Sequence, residues 1–350
     1  MRQSWWKIIG VTLVFLGLIG GMLVPLNPGI TKISKRSAKA GELLQLTIHG
    51  YNSTYTEAKE LNAYLRAGDD GLISAMDIKA INDRVIEASF FLPEHNSKEG
   101  DVMSSTLIVT TDHDGYQVLP DAVFISKGPN NNTYLGAKIW RQDNFDNLKK
   151  SEAFRFPYRP LLNETIRNTF YHITLWFSMF ILLIAGLFYS IRYLRKGDIN
   201  DDIISSSFTS VAILYGTLGI ITGSLWARFT WGAWWTTDVK LNMSATAMLI
   251  YYAYLILRGS MSDRDRRARL SSAYNIFAFV ALIPLVFVIP RLTDSLHPGN
   301  GGNPALGGED MDNTMRQIFY PMIIGMTLVG VWMTSLKVRA EQVRDRVLDL

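Results

Sequence analysis

With 350 residues, 48% of them apolar, 19% charged and a formal net charge of +4, the chain has the averages of an ordinary protein of one or two domains, so bulk composition alone assigns no class. It contains no cysteine, which excludes a disulfide framework, a thiolate metal site and a Cys-x-x-Cys-His attachment motif.

The local distribution is more informative than the average. Six uncharged stretches, Ile8–Leu26, Asn168–Ile191, Ile203–Ala227, Leu241–Leu257, Leu270–Pro290 and Gln317–Leu336, are long enough to cross a bilayer as helices. The spacing predicts an all-α membrane bundle of six transmembrane helices, with a large insert after the first. Arg2 and Lys7 precede the first stretch, which reads as an uncleaved anchor because Val24-Pro25-Leu26-Asn27-Pro28 offers no small-residue cleavage pattern.

Between the first two stretches lies a polar segment, 27–164. Glu42–His49, Arg84–Leu92, Ser104–Thr111 and Asp121–Ser126 are strand-like runs, separated by turn clusters at 68–71, 112–115 and 128–132. They predict a mainly β, sandwich-like domain, interrupted by a helix over Thr56–Arg66. The expected organisation is an anchor helix over 1–26, the insert over 27–164, a five-helix core over 165–337 and a tail over 338–350 that continues the last helix.

The basic residues set the orientation. Arg192, Arg195 and Lys196 follow the second stretch, Arg258 and Arg264 to Arg269 the fourth, and Lys337, Arg339, Arg344 and Arg346 the sixth. With six crossings these flanks and the amino terminus share one side, which the positive-inside rule makes cytoplasmic. Both termini are then cytoplasmic, the insert is outside, and the Arg264 to Arg269 cluster is a topology signal rather than a nucleic-acid patch. Lys32, Lys35, Arg36 and Lys39 run against the trend, but they open a long translocated segment on which the rule acts weakly.

Between the third and fourth stretches, and so outside, runs Gly223 to Lys240, with four of the nine tryptophans (Trp226, Trp231, Trp234 and Trp235) inside ten residues. An interfacial aromatic belt explains any one of them. A belt needs neither Gly232 between two of them nor Asp238 just after, whereas indole faces beside permissive backbone suit a flat apolar ligand. The chain has five histidines: His49, His95 and His113 in the insert, His172 near the outer end of the second stretch, and His297 in a Gly/Pro-rich outer loop, 297–308. His172 and His297 fall on the side of the tryptophans by span counting alone.

The run Trp231-Gly232-Ala233-Trp234-Trp235-x-x-Asp238-x-Lys240-Leu241 resembles the tryptophan-rich signature of the haem-handling proteins of cytochrome c biogenesis. Tyr171-His172 with Trp176 four residues on, and Ser295-Leu296-His297-Pro298-Gly299, resemble that superfamily's two histidine segments. With six spans and two flanking histidines, the nearest resemblance is to the cytochrome c maturation protein C (haem exporter protein C) family; the larger synthetases have further spans and a further histidine pair. The sequence departs from the signature at Thr237, where an aromatic is usual, and at Lys240, where Arg is usual. It also departs in the insert, where the family generally has a short loop.

The resemblance implies a module that binds and presents haem b at the outer face of the bacterial inner membrane, and not an enzyme. His172 and His297 would be the axial ligands of the iron, Trp226, Trp231, Gly232, Trp234 and Trp235 the platform, and Asp238 its orienting residue. The implied partners are a periplasmic haem chaperone, cytochrome c maturation protein E, with the ATP-binding-cassette subunits A and B and small protein D of the same system. The chain has no phosphate-binding Gly-x-x-x-x-Gly-Lys-Ser/Thr loop, so ATP hydrolysis would fall to those partners. Two other readings compete: a membrane transporter, which needs ionisable residues along its spans, and a b-type haem electron carrier, which buries both histidines in the bundle.

Overall fold

In a computed structural model the described residues are 4–67, 71–92, 102–126, 154–293, 295–297 and 311–348. His95, the turn clusters 68–70 and 128–132, and the loop after His297 lie outside them. The chain divides into two units, Pro25–Asn163 and the remainder.

Among its described residues the first unit holds nine strands: β1 (Gly29–Ile33), β2 (Ser37–Lys39), β3 (Leu43–Tyr51), β4 (Leu61–Ala67), β5 (Gly71–Ser74), β6 (Asp77–Asn82), β7 (Val85–Phe91), β8 (Val102–Thr111) and β9 (Gly115–Ser126). They form two sheets, ordered β1-β3-β7-β6 and β2-β9-β8-β4-β5. All pairings are antiparallel except β2 with β9. Every second residue of β3 (Leu44, Leu46, Ile48) and β7 (Ile86, Ala88, Phe90) joins one core with Ala63 and Leu65 of β4 and Leu107 and Val109 of β8. A core fed by both sheets makes this a β-sandwich.

The helix expected over Thr56–Arg66 does not form. Residues 61–67 are strand β4, because Ala63 and Leu65 point inward at a period of two while the backbone pairs with β8 and β5. Neighbouring strands on both sides override the helix propensity of Ala, Leu and Glu.

The other unit is helical: α1 (Trp5–Leu23), α2 (Thr169–Lys196), α3 (Ile199–Thr230), α4 (Val239–Gly259), α5 (Arg264–Ile283) and α6 (Asn313–Leu348). α2 packs on α3, α5 and α6; α4 packs on α3 and α5; and α1 lies along α6. That last contact needs glycines, since a Cβ on Gly325 would stand 2.9 Å from the Val14 backbone nitrogen and one on Gly10 2.8 Å from Leu328 Cβ. Gly197, at φ 71°, ends α2, and Asp198 then caps α3, with its side chain accepting from the Asn200 N–H. After α5 the helix widens to a π turn at Pro284–Val288 and tightens to a 3-10 turn at Ile289–Arg291, because Pro284 has no N–H to continue the α ladder.

Among the described residues, five helical stretches are long and apolar enough to cross a membrane: Trp5–Leu23, Asn163–Lys196, Ile199–Thr230, Arg264–Arg291 and Asn313–Val347. The sixth expected span does form a helix, α4, but it is not among the five. Lys240, Asn242, Tyr251, Tyr252, Tyr254 and Arg258 dilute its apolar content.

At the end of the bundle where α2 and α4 stop and α3 begins, Arg258 grips buried Asp202 with two bonds of 2.8 and 2.6 Å, and Arg192 lies 2.9 Å from Asp201. Arg264 pairs with Asp345 of α6 at 2.5 Å. Several of the cations that set the predicted orientation therefore also join helices. Produced alone, residues 25–163 are expected to give a β-dominated circular dichroism spectrum. Phe90→Ala should lower their unfolding free energy by about 3–5 kcal/mol; a mainly helical spectrum, or an unmoved midpoint, contradicts the sandwich.

Candidate functional site

At the opposite end of α2 and α3, the tryptophan-rich segment is divided between two structures. Trp226 still belongs to α3, and its indole N–H donates to Thr165 Oγ1 at 3.1 Å. Trp231 to Thr237 form the link to α4. The link reverses at Gly232, whose φ of 80° is costly for any residue with a Cβ. The Arg228 guanidinium donates to the Gly232 carbonyl, and Ser224 Oγ to the Trp234 carbonyl at 2.7 Å, so α3 fixes the course of the link.

His172 stands in the first turn of α2, where α3 comes close. A Cβ on Gly223 would lie 2.6 Å from His172 Cε1, and one on Gly219 2.9 Å from Trp176 Nε1, so the two glycines form a slot for the rings. Trp226 and Trp176 meet the imidazole edge-on, at 5.8 and 6.3 Å between centroids. His172 Nδ1 lies 3.0 Å from the Gly219 carbonyl and 3.1 Å from Thr222 Oγ1. A carbonyl only accepts, so Nδ1 carries a proton, which in the neutral ring leaves Nε2 with its lone pair.

His297 reaches the same tautomer by a different route. Its Nδ1 is 2.9 Å from Asp238 Oδ1, and a carboxylate also only accepts. Burial, and next the charge of Lys240, push the His297 imidazole down to about 4 against the opposing pull of Asp238, so the ring is neutral at pH 7. Its free nitrogen is again Nε2. Trp231 packs edge-on against this ring at 5.0 Å.

Asp238 joins these parts. As the cap of α4, its Oδ1 accepts from the backbone N–H groups of Lys240 (2.9 Å) and Leu241 (3.2 Å). Its Oδ2 accepts from Ser295 Oγ and the Leu296 N–H, both at 2.8 Å. Burial acts to raise its pKa, but the donors on Ser295, Leu296 and Leu241, together with His297, outweigh it and hold the carboxyl below the usual range.

Of the expected site residues, Trp226 meets His172, Trp231 and Asp238 meet His297, and all five lie at the same end of the bundle. The charge of Lys240 acts on His297. Trp234 and Trp235 stand apart, 58% and 40% exposed, and the Trp235 indole N–H donates to Asn242 Oδ1 at 3.0 Å. Sequence reasoning missed Gly219, Thr222, Gly223 and Ser295. The two glycines carried a readable sign, since a spacing of four in one helix places them on one face.

The profile of the family described as "CcmC: Heme exporter protein C" matches residues 157–349. The chain is 26% identical over 191 residues to the "Heme exporter protein C" of Bradyrhizobium diazoefficiens, covering 53% of this chain and 70% of that one. It is 22% identical over 138 residues to the protein of that name from Haemophilus influenzae, covering 39% and 54%. A shorter likeness, 37% over 76 residues, covers 22% of this chain and 24% of a "Cytochrome c biogenesis protein CcsA" of Prochlorococcus marinus. With more than half of its length matched by one profile, the chain belongs to the heme exporter protein C family, the haem-handling membrane proteins of cytochrome c biogenesis.

Proposed function

We propose that the chain holds haem b transiently between His172 and His297 at the non-cytoplasmic face of a bacterial inner membrane and presents it for c-type cytochrome assembly. One observation carries this reading: two neutral imidazoles, each with Nδ1 tied to an oxygen, have Nε2 without a hydrogen-bond partner among the described residues. Imidazoles oriented in this way by an outer acceptor are good axial ligands for haem iron. Trp226 and Trp231 each brace one ligand, and the exposed Trp234 and Trp235 offer apolar faces to the porphyrin or to the protein that receives it. Asp238 orients His297, and Lys240 is placed to offset the negative charge of a propionate.

In this reading α4 crosses the membrane as the sixth span. It packs between α3 and α5, and its Arg258 end meets the start of α3 while its Asp238 end carries the site. The paired cations Arg192, Arg258 and Arg264 then lie on the cytoplasmic side with both termini, and the sandwich lies outside. The receiving partner is a periplasmic haem chaperone, cytochrome c maturation protein E. The ATP-binding-cassette subunits A and B and small protein D complete the system, because this chain has no phosphate-binding loop of its own.

The pyridine haemochrome spectrum of detergent-purified protein tests the assignment. Wild type should contain b-type haem and the His172→Ala, His297→Ala double variant should not; equal haem in both would refute ligation. Gly223→Ala, which forces the His172 ring to move, should lower haem content several-fold while the helical circular dichroism signal stays the same. Trp234→Ala should leave haem content intact and slow transfer to the chaperone. Loss of expression in its place would mark that ring as structural.

A further inference from the structure

The two imidazoles are held in unlike ways. His172 belongs to a helix and sits in the Gly219 and Gly223 slot between the edges of Trp176 and Trp226, with Nδ1 on a carbonyl of the facing helix. Its backbone is part of α2 and its ring is confined by that slot. His297 lies outside any helix, in the segment 295–297 beyond the turn that ends at Arg291. Three of the bonds holding that segment, from Ser295 Oγ, the Leu296 N–H and His297 Nδ1, end on the one carboxylate of Asp238. The same carboxylate caps α4 with its other bonds, so the segment can leave without unwinding a helix.

We propose that His172 is the fixed ligand and His297 the releasable one, with the Asp238 carboxylate as the catch that holds the releasing segment shut. This rests on the haem assignment above and adds an order to it: hand-over begins on the His297 face, while His172 retains the cargo. A bond to a charged acceptor is stronger than one between neutral groups, so weakening the set should speed opening roughly tenfold or more. Asp238→Asn isolates the catch. An amide oxygen still caps α4, but the amide NH2 cannot accept from Ser295 and Leu296. Ser295→Ala removes one bond and is the milder variant.

The experiment uses the full-length protein in detergent, loaded with haem and reduced, with carbon monoxide as the probe of a vacated axial position. Asp238→Asn is expected to bind carbon monoxide at least about tenfold faster than wild type at equal haem content, with Ser295→Ala in between. His297→Ala should keep its haem and bind without waiting for a ligand to leave, whereas His172→Ala should lose its haem. In the haem-free protein, hydrogen exchange at the Leu296 amide should accelerate in Asp238→Asn while the Lys240 and Leu241 amides stay protected. Equal carbon monoxide rates, unaltered Leu296 exchange, or haem kept by His172→Ala and lost by His297→Ala would each overturn the asymmetry. A wild type without bis-imidazole haem would instead refute the haem assignment, and the asymmetry with it.

Discussion

One carboxylate organises the candidate site. Asp238 accepts from five donors with its two oxygens, which offer about four lone-pair directions between them, so Oδ1 is shared by Lys240, Leu241 and His297. Such a concentration of donors is stable only around a charged acceptor, in keeping with its depressed pKa. The consequence is topological. Three segments far apart in sequence (the link after α3, the first turn of α4 and the stretch beyond α5) meet on one side chain, and with them the second histidine. Removing that charge would leave the helices in place while separating His297 from the tryptophan that braces it.

The helices supply the other half of the geometry by close approach. Gly219 and Gly223 let α2 come near enough to α3 for a ring nitrogen to reach a backbone carbonyl that the α3 ladder leaves accessible. Two unrelated devices, a carbonyl across a glycine slot and a carboxylate at a helix cap, thus select the same tautomer at both histidines. Both histidines are half-buried. At the other end of the bundle Asp201 and Asp202, buried in the first turn of α3, tie down the ends of α2 and α4 through Arg192 and Arg258. The bundle is therefore fastened by charge at one end and carries His172 and His297 at the other.

Much of this was legible in the sequence where the pattern was strong. Long uncharged stretches marked five spans and the core of α4. Counting alone puts the aromatic segment and the two histidines on one side, and Glu42–His49, Arg84–Leu92, Ser104–Thr111 and Asp121–Ser126 read as strands because large apolar residues recur within them. Legibility failed where tertiary pairing decides. β6 alternates only over Asp77–Ala80 and β2 is three residues long, so neither carries a periodic signal of useful length. Thr56–Arg66 reads as helix by composition, whereas Leu61–Ala67 is a strand through two partners. The Asp238 contacts to Ser295 and Leu296 span 57 and 58 positions, and no local pattern announces such a bond.

Two imidazoles whose bare Nε2 atoms share one haem iron leave a signature in the electron paramagnetic resonance of the ferric haem-loaded protein. Wild type should give the low-spin signal of two imidazole ligands, converted to high spin by His297→Ala. A high-spin wild type, or a low-spin signal unmoved by that substitution, would contradict shared ligation.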